Sequence, residues 1–195
     1  MPTKPPPTVG RATVNANLMI VLRPKDNSIE RYVLLIESPQ ARARNEPYLE
    51  FPKGVFDASG NFGGPMMDNL RQEHRLNLTK EPLINLTALV QKMQPLTCEP
   101  GSYDERAVRS IRANPNTTVL LWERYLDRKE IESLRGSSGG RRAPGGAINI
   151  RMLEYRDFTE IMTRKVELRH GWEIYELLHS HHILQQLLHE KSIGN

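Results

Sequence analysis

The sequence predicts an α+β fold, a mixed β-sheet held between helices as an α/β/α sandwich. Three observations carry this. Short runs rich in β-branched and apolar residues alternate with two stretches of helical period. Residues 49–78, LEFPKGVFDASGNFGGPMMDNLRQEHRLNL, read as a strand end, a Gly-rich loop and a helix in one unit. A chain of 195 residues, 38% hydrophobic and 26% charged, is long enough and apolar enough for one domain with a real core.

Taken in order, residues 1–16 are expected to be a flexible tail, in which Pro5-Pro6-Pro7 opposes a helix. Residues 17–190 are expected to form one domain and 191–195 a C-terminal tail. LMIVL at 18–22 and RYVLLI at 31–36 read as strands joined by the turn PKDNS. Residues 38–47 read as a loop carrying Arg42 and Arg44. Residues 48–51 end a strand; Pro-Lys-Gly then turns the chain into a polar loop. The helix expected at 65–76 starts well, because the N–H that Pro65 lacks would have no partner at a first helical position. Met66 and Leu70, flanked by Met67 and His74, make a thin apolar stripe, and Asn69, Gln72 and Glu73 share the polar face. Asn69 and Glu73 are four apart and therefore stacked.

Further on, residues 83–90 and TTVLLW at 117–122 read as strands, separated by a Pro- and Gly-punctuated loop at 94–104. Arg106, Arg109 and Arg112 fall three apart, one basic ridge if that piece is helical. GSSGGRR at 136–142 reads as a flexible basic loop, and 147–152 as a strand. Residues 159–190 read as a long helix broken near Gly171, with Ile174, Leu177, Leu178, Leu184, Leu187 and Leu188 on its core face. His179, His181, His182 and His189 invite a metal reading, but no acidic or Cys partner stands beside them, and solvated or half-buried histidines are the simpler account.

Residues 49–78 resemble a Nudix box. That pattern runs Gly, five residues, Glu, seven residues, then Arg-Glu-apolar-x-Glu-Glu-x-Gly-apolar. Laid from Gly54 it fits without a gap: the first Glu slot falls on Gly60, Arg-Glu on Asp68-Asn69, and Glu-Glu on Gln72-Glu73. Leu70 and Leu76 take the apolar slots, and Arg75 takes the second Gly slot. LEFPKGVFDASGNF, Asn85-Leu86-Thr87-Ala88 and residues 100–105 (PGSYDE) are similar, in order, to segments of the ADP-sugar and ADP-ribose pyrophosphatase branch. The resemblance covers roughly residues 17–184 and implies a Nudix-type α/β/α sandwich.

It also implies a chemistry. Nudix enzymes hydrolyse nucleoside diphosphate derivatives with Mg²⁺ or Mn²⁺ held by the box carboxylates. Here one helix carboxylate, Glu73, remains as a metal ligand and catalytic candidate. Losing two formal charges beside such ions removes several kcal/mol of attraction at an effective dielectric of about 20. Asp104 and Glu105 match a loop that overlies the active site in the resembled branch and are further catalytic candidates. Arg42, Arg44, Glu50, Lys53, Gly54, Asn69 and Gln72 are the ligand-binding candidates. Lys53 stands where that branch usually has Ala. It could meet a phosphate as a point charge, or simply be an exposed turn lysine.

Charge and cysteine usage bound the partners. The net charge is +4, with residues 105–142 holding 9 basic and 5 acidic side chains. Such a segment favours a polyanion, so Arg106, Arg109 and Arg112 are candidates for RNA phosphates, with a solvated face as the plainer account. No apolar run reaches membrane-spanning length. The single cysteine, Cys98, excludes an internal disulfide and implies a reducing compartment, mitochondrial or cytoplasmic. Two functions stay open: a catalytically impaired Nudix-fold protein binding a nucleoside diphosphate ligand or RNA as a subunit of a (mitochondrial) ribonucleoprotein assembly, and an active Mg²⁺-dependent hydrolase of ADP-ribose, ADP-sugars or a related nucleoside diphosphate derivative. A structural subunit with an empty cleft is a third.

Overall fold

β1 (Thr13–Pro24) runs through the middle of the sheet, and its sequence shows why. Leu18, Met19, Ile20, Val21 and Leu22 are all fully buried, so both faces of the strand are covered. A continuous apolar run suits such a central strand. The computed structural model describes residues 13–26, 29–38, 48–57, 62–74, 76, 83–93, 103–113, 116–137, 149–162 and 165–187.

β2 (Tyr32–Ser38) returns antiparallel to β1, with Ile20 opposite Leu34 and Leu22 opposite Tyr32. β7 (Thr118–Leu126) lies parallel along the other edge of β1, from Ala16 opposite Thr118 to Pro24 opposite Leu126. This parallel pairing among antiparallel ones makes the sheet mixed. The first hairpin then forks. The N-terminal half of β1 pairs with β4 (Lys53–Asp57), Thr13 opposite Asp57 and Asn17 opposite Lys53. The far half of β2 pairs with β3 (Tyr48–Glu50), Ile36 opposite Glu50. Phe51 and Pro52 cross the fork, and the Pro52 carbonyl accepts the Leu18 N–H at 2.8 Å. β5 (Phe62–Gly63) pairs with β4, β6 (Ile84–Asn85) with β7, and β8 (Asn149–Glu154) with β2.

Strand alternation divides the core in two. Ala16, Leu18, Ile20 and Leu22 face α1 (Pro65–His74), through Met67 and Leu70, and α4 (Arg128–Ser137), through Ile131. Met19 and Val21 face α2 (Leu86–Lys92), α3 (Tyr103–Ala113), α5 (Tyr155–Met162) and α6 (Val166–Ser180). The fold is therefore the expected α+β sandwich, with the helix of residues 65–74 on one face and the C-terminal helix on the other.

Several local expectations differ from the structure. Lys53–Asp57 is a strand, not a turn running into a loop, because it completes the open edge of β1. The strand expected at 83–90 stops at Asn85. The Asn85 side chain accepts the Ala88 N–H at 2.9 Å and starts α2 as its N-cap. Buried Thr87 then accepts the Val119 N–H at 2.9 Å, pinning α2 to β7. α4 was not expected at all; its seat on the sheet is Ile131. β1 begins at Thr13, upstream of the domain start expected at residue 17.

The long C-terminal helix breaks ahead of α6 rather than at Gly171, with Lys165 extended at φ −126° as the N-cap. Gly171 sits inside α6, where a Cβ would lie 2.7 Å from Phe51 Cε2. The glycine marks a close approach, not a break. Ile174, Leu177, Leu178 and Leu184 are buried as expected, Leu187 is half-buried, and Leu188 lies outside the described residues. The 94–102 and 138–148 stretches also lie outside them.

Candidate functional site

The fork, β5 and the start of α1 form one unit. Gly64, at φ +128°, takes a backbone conformation that side-chain-bearing residues rarely adopt. Its carbonyl accepts the N–H groups of Met67 at 2.9 Å and Asp68 at 3.1 Å, closing the first turn over Pro65. Met67 and Leu70 seat the helix on the sheet, while the Lys53 N–H donates to Met66 Sδ at 3.0 Å. Gly54, the first position of the box pattern, has no room for a side chain. A Cβ there would lie 2.6 Å from Phe62 Cζ and 2.7 Å from the Gly63 carbonyl oxygen. Its role in the structure is to let β4 and β5 close.

At the mouth of the fork Glu50 and Lys53 pair at 2.5 Å, with the Glu50 side chain 12% exposed and that of Lys53 51% exposed. Lys53 is therefore not an isolated cation. The ammonium end of the pair is half-exposed, whereas the carboxylate end is largely covered. Asp68, Arg71 and Gln72 are exposed along α1. Asn69 and Glu73 lie on the α1 backbone one turn apart, and their side chains are outside the description, as is that of Asp104 in the first turn of α3. Arg42 and Arg44 lie outside the described residues altogether. Glu105 is held by Arg109 at 2.5 Å within α3, which packs on the opposite face of the sheet from α1.

Among the described residues no group of three His, Cys, Asp or Glu side chains converges to hold a metal ion. Glu50 and Glu105 are both committed to cations of the protein. The described residues thus supply no carboxylate cage. Among the described residues the C-terminal histidines form no such group either. His179 packs on the Tyr175 ring at 5.9 Å, and His182, at φ 59° beyond α6, meets Gln185 Oε1 at 2.9 Å. His189 lies outside the described residues.

The basic ridge is real as a surface. α3 buries Ala107, Val108 and Ile111 against the C-terminal helix and leaves Arg106, Arg109 and Arg112 exposed. Across that same contact Ser110 Oγ and His170 Nδ1 are 2.6 Å apart, and burial pushes the His170 imidazole below its ordinary pKa.

Sequence reading missed a second polar centre under α6. Arg23 on β1 donates to the fully covered Glu123 carboxylate on β7, and Arg23 Nη2 lies 3.4 Å from the Tyr175 hydroxyl. Burial pushes the Glu123 carboxyl up, with the Arg23 guanidinium opposing. Burial, with Glu123 alongside, lifts the Tyr175 hydroxyl to about 12. Next to them the Arg31 guanidinium stacks on the Tyr155 ring at 4.6 Å, and the Tyr155 hydroxyl donates to Glu176. The available signal was a charge ending each apolar strand run, Arg23 after Leu22 and Glu123 after Trp122.

With this geometry in hand, the chain proves similar to Nudix hydrolase 14, chloroplastic, of Arabidopsis thaliana, at 27% identity over 131 residues. The match covers 66% of this chain and 39% of that protein, so the chain spans well under half of its relative's length. No family model and no solved structure matches. The likeness supports a Nudix-type domain, in agreement with the mixed sheet between helices. No helix among the described residues is long and apolar enough to cross a membrane.

Proposed function

We propose, from the likeness to a Nudix hydrolase, that this chain is a Nudix-type domain of the ADP-sugar pyrophosphatase kind with impaired hydrolysis. Its fork binds a nucleoside diphosphate derivative, and its α3 ridge meets RNA, as in a subunit of a ribonucleoprotein assembly in a mitochondrion or the cytoplasm. One observation carries the reading of the fork. The scaffold is kept, with Gly54 closed on Phe62, α1 seated on the sheet and Lys53 at the mouth, while α1 carries Asp68, Asn69 and Gln72 where the pattern has Arg, Glu and Glu. Lys53 supplies the cation for a phosphate. Amides at 69 and 72 can bind oxygen-bearing ligands but bring no charge and cannot act as general bases.

The likeness to a hydrolase favours a second reading, an active enzyme in which Glu73 with Asp104 or Glu105 serves Mg²⁺- or Mn²⁺-dependent cleavage of ADP-ribose or ADP-sugars. Calorimetry with ADP-ribose and ADP-glucose, paired with a hydrolysis assay in Mg²⁺ and in Mn²⁺, separates the two. The expected result is binding with slow turnover, raised when Gly60→Glu, Asn69→Glu and Gln72→Glu are installed together. Fast wild-type turnover that vanishes in Glu73→Gln transfers the assignment to the enzyme.

A further inference from the structure

Two asparagines stand in β1 where a strand gains most from β-branched or aromatic residues. The register sets Asn17 opposite Lys53 and Asn15 opposite Val55. By strand alternation Asn15 and Asn17 share the side of Met19 and Val21, the side that α6 covers further along. Here Asn15 and Lys53 are exposed, Asn17 is partly exposed, and Val55 is 40% exposed. On the reverse side Ala16 is buried, so the strand is anchored from behind. Nothing about packing asks for two amides at these positions.

Distances along the sheet are short. Residues two apart on a strand are about 7 Å apart, and directly opposed residues about 5 Å. The backbone positions of Asn15, Asn17 and Lys53 therefore fall within about 10 Å of one another. Each amide presents a donor pair and an acceptor side by side, matching a heterocycle edge with adjacent donor and acceptor atoms. The Val55 isopropyl group offers an apolar contact for a ring. A polyanion would want several cations here, and along the β1–β4 pairing, residues 13–17 with 53–57, the cation contributed is Lys53.

We propose that Asn15, Asn17, Lys53 and Val55 form a nucleoside-recognition subsite. The amides read the polar edge of the base, Val55 packs on its ring, and Lys53 holds the adjoining phosphate. The subsite rests on the nucleotide reading of the fork and gives it a specificity: the base is selected by the sheet and the phosphate by the mouth.

The test is calorimetric titration with AMP, ribose 5-phosphate and ADP-ribose, on wild type and on Asn15→Thr, Asn17→Thr and Lys53→Met. Thr suits a strand, so the variants remove the amide without penalising the fold. Each Thr variant should weaken AMP by about tenfold, about 1.4 kcal/mol, and leave ribose 5-phosphate within about twofold. Lys53→Met should weaken both. In the ¹⁵N spectrum of wild type, the side-chain amides of Asn15 and Asn17 should move with AMP and not with ribose 5-phosphate. AMP binding unchanged by the Thr substitutions, with ADP-ribose still bound, overturns the subsite and leaves the fork reading standing. A wild type that binds none of the three overturns both.

Discussion

Replacing Gly171 by alanine puts a methyl 2.7 Å from Phe51 Cε2, 3.3 Å from Cζ and 3.5 Å from Cδ2. Carbon atoms prefer about 3.5–4.0 Å, so the ring must retreat by roughly 1 Å. It has little space to do so. Phe51 is 2% exposed, with the Phe158 ring centroid 6.1 Å away, and Pro52 beside it is tied to β1 by the Leu18 N–H. Overpacking of this kind costs about 1–3 kcal/mol. Against it, alanine inside a helix is favoured over glycine by about 1 kcal/mol. The expected net is a loss of about 1 kcal/mol, lowering Tm by about 2–4 °C for a chain of this size. Urea unfolding of wild type, Gly171→Ala, Phe51→Leu and the double variant measures it. In the Phe51→Leu background the ring edge is gone, so Gly171→Ala should be neutral or stabilising, and the cycle should return a coupling of about 1 kcal/mol or more. A stabilised Gly171→Ala, or the same effect in both backgrounds, refutes the contact as the reason for this glycine.

Two other outcomes follow from charges. Burial raises the Glu123 carboxyl, so this group holds its proton to higher pH when folded than when unfolded. Its contribution to stability is then greatest below the ordinary carboxylate range and declines as pH rises from about 4 through the raised folded value, where it levels off. Glu123→Gln removes that decline, so the stability of wild type minus that of the variant should fall across this window in denaturant titrations; a difference that grows with pH contradicts the assignment. On α3, replacing Arg106, Arg109 and Arg112 by Ala should leave the unfolding midpoint within about 0.5 kcal/mol, because all three are exposed. If the ridge contacts RNA, the same change flattens the salt dependence of binding by up to about three phosphates' worth. RNA affinity that is absent at low salt, or unchanged in the triple variant, returns the ridge to solvent.

Much of the fold was legible along the chain because its cause is local. The apolar run at 18–22 reads as a strand, Pro65 suits the first position of a helix, and arginines three apart form a ridge on any helix that carries them. Residues 49–78 likewise read as a strand end, a loop and a helix in one unit, and the helix is there as α1. What the chain alone left undecided depends on partners far away in sequence. Lys53–Asp57 looks like a turn until the free edge of β1 is there to pair with it. Gly171 looks like a helix break until Phe51, from the other end of the chain, is found pressed against it. Asn85 reads as part of a strand until its side chain is seen capping α2. Arg23 and Glu123 lie 100 residues apart and read as two ordinary charges. Only the parallel pairing of β1 with β7 brings them under α6, where burial makes each the other's counter-ion. Side chains of one element share a face by the geometry of the backbone, which sequence spacing reveals. Pairings between elements are chosen by edge hydrogen bonds and mutual burial, and those exist only once the sheet has formed.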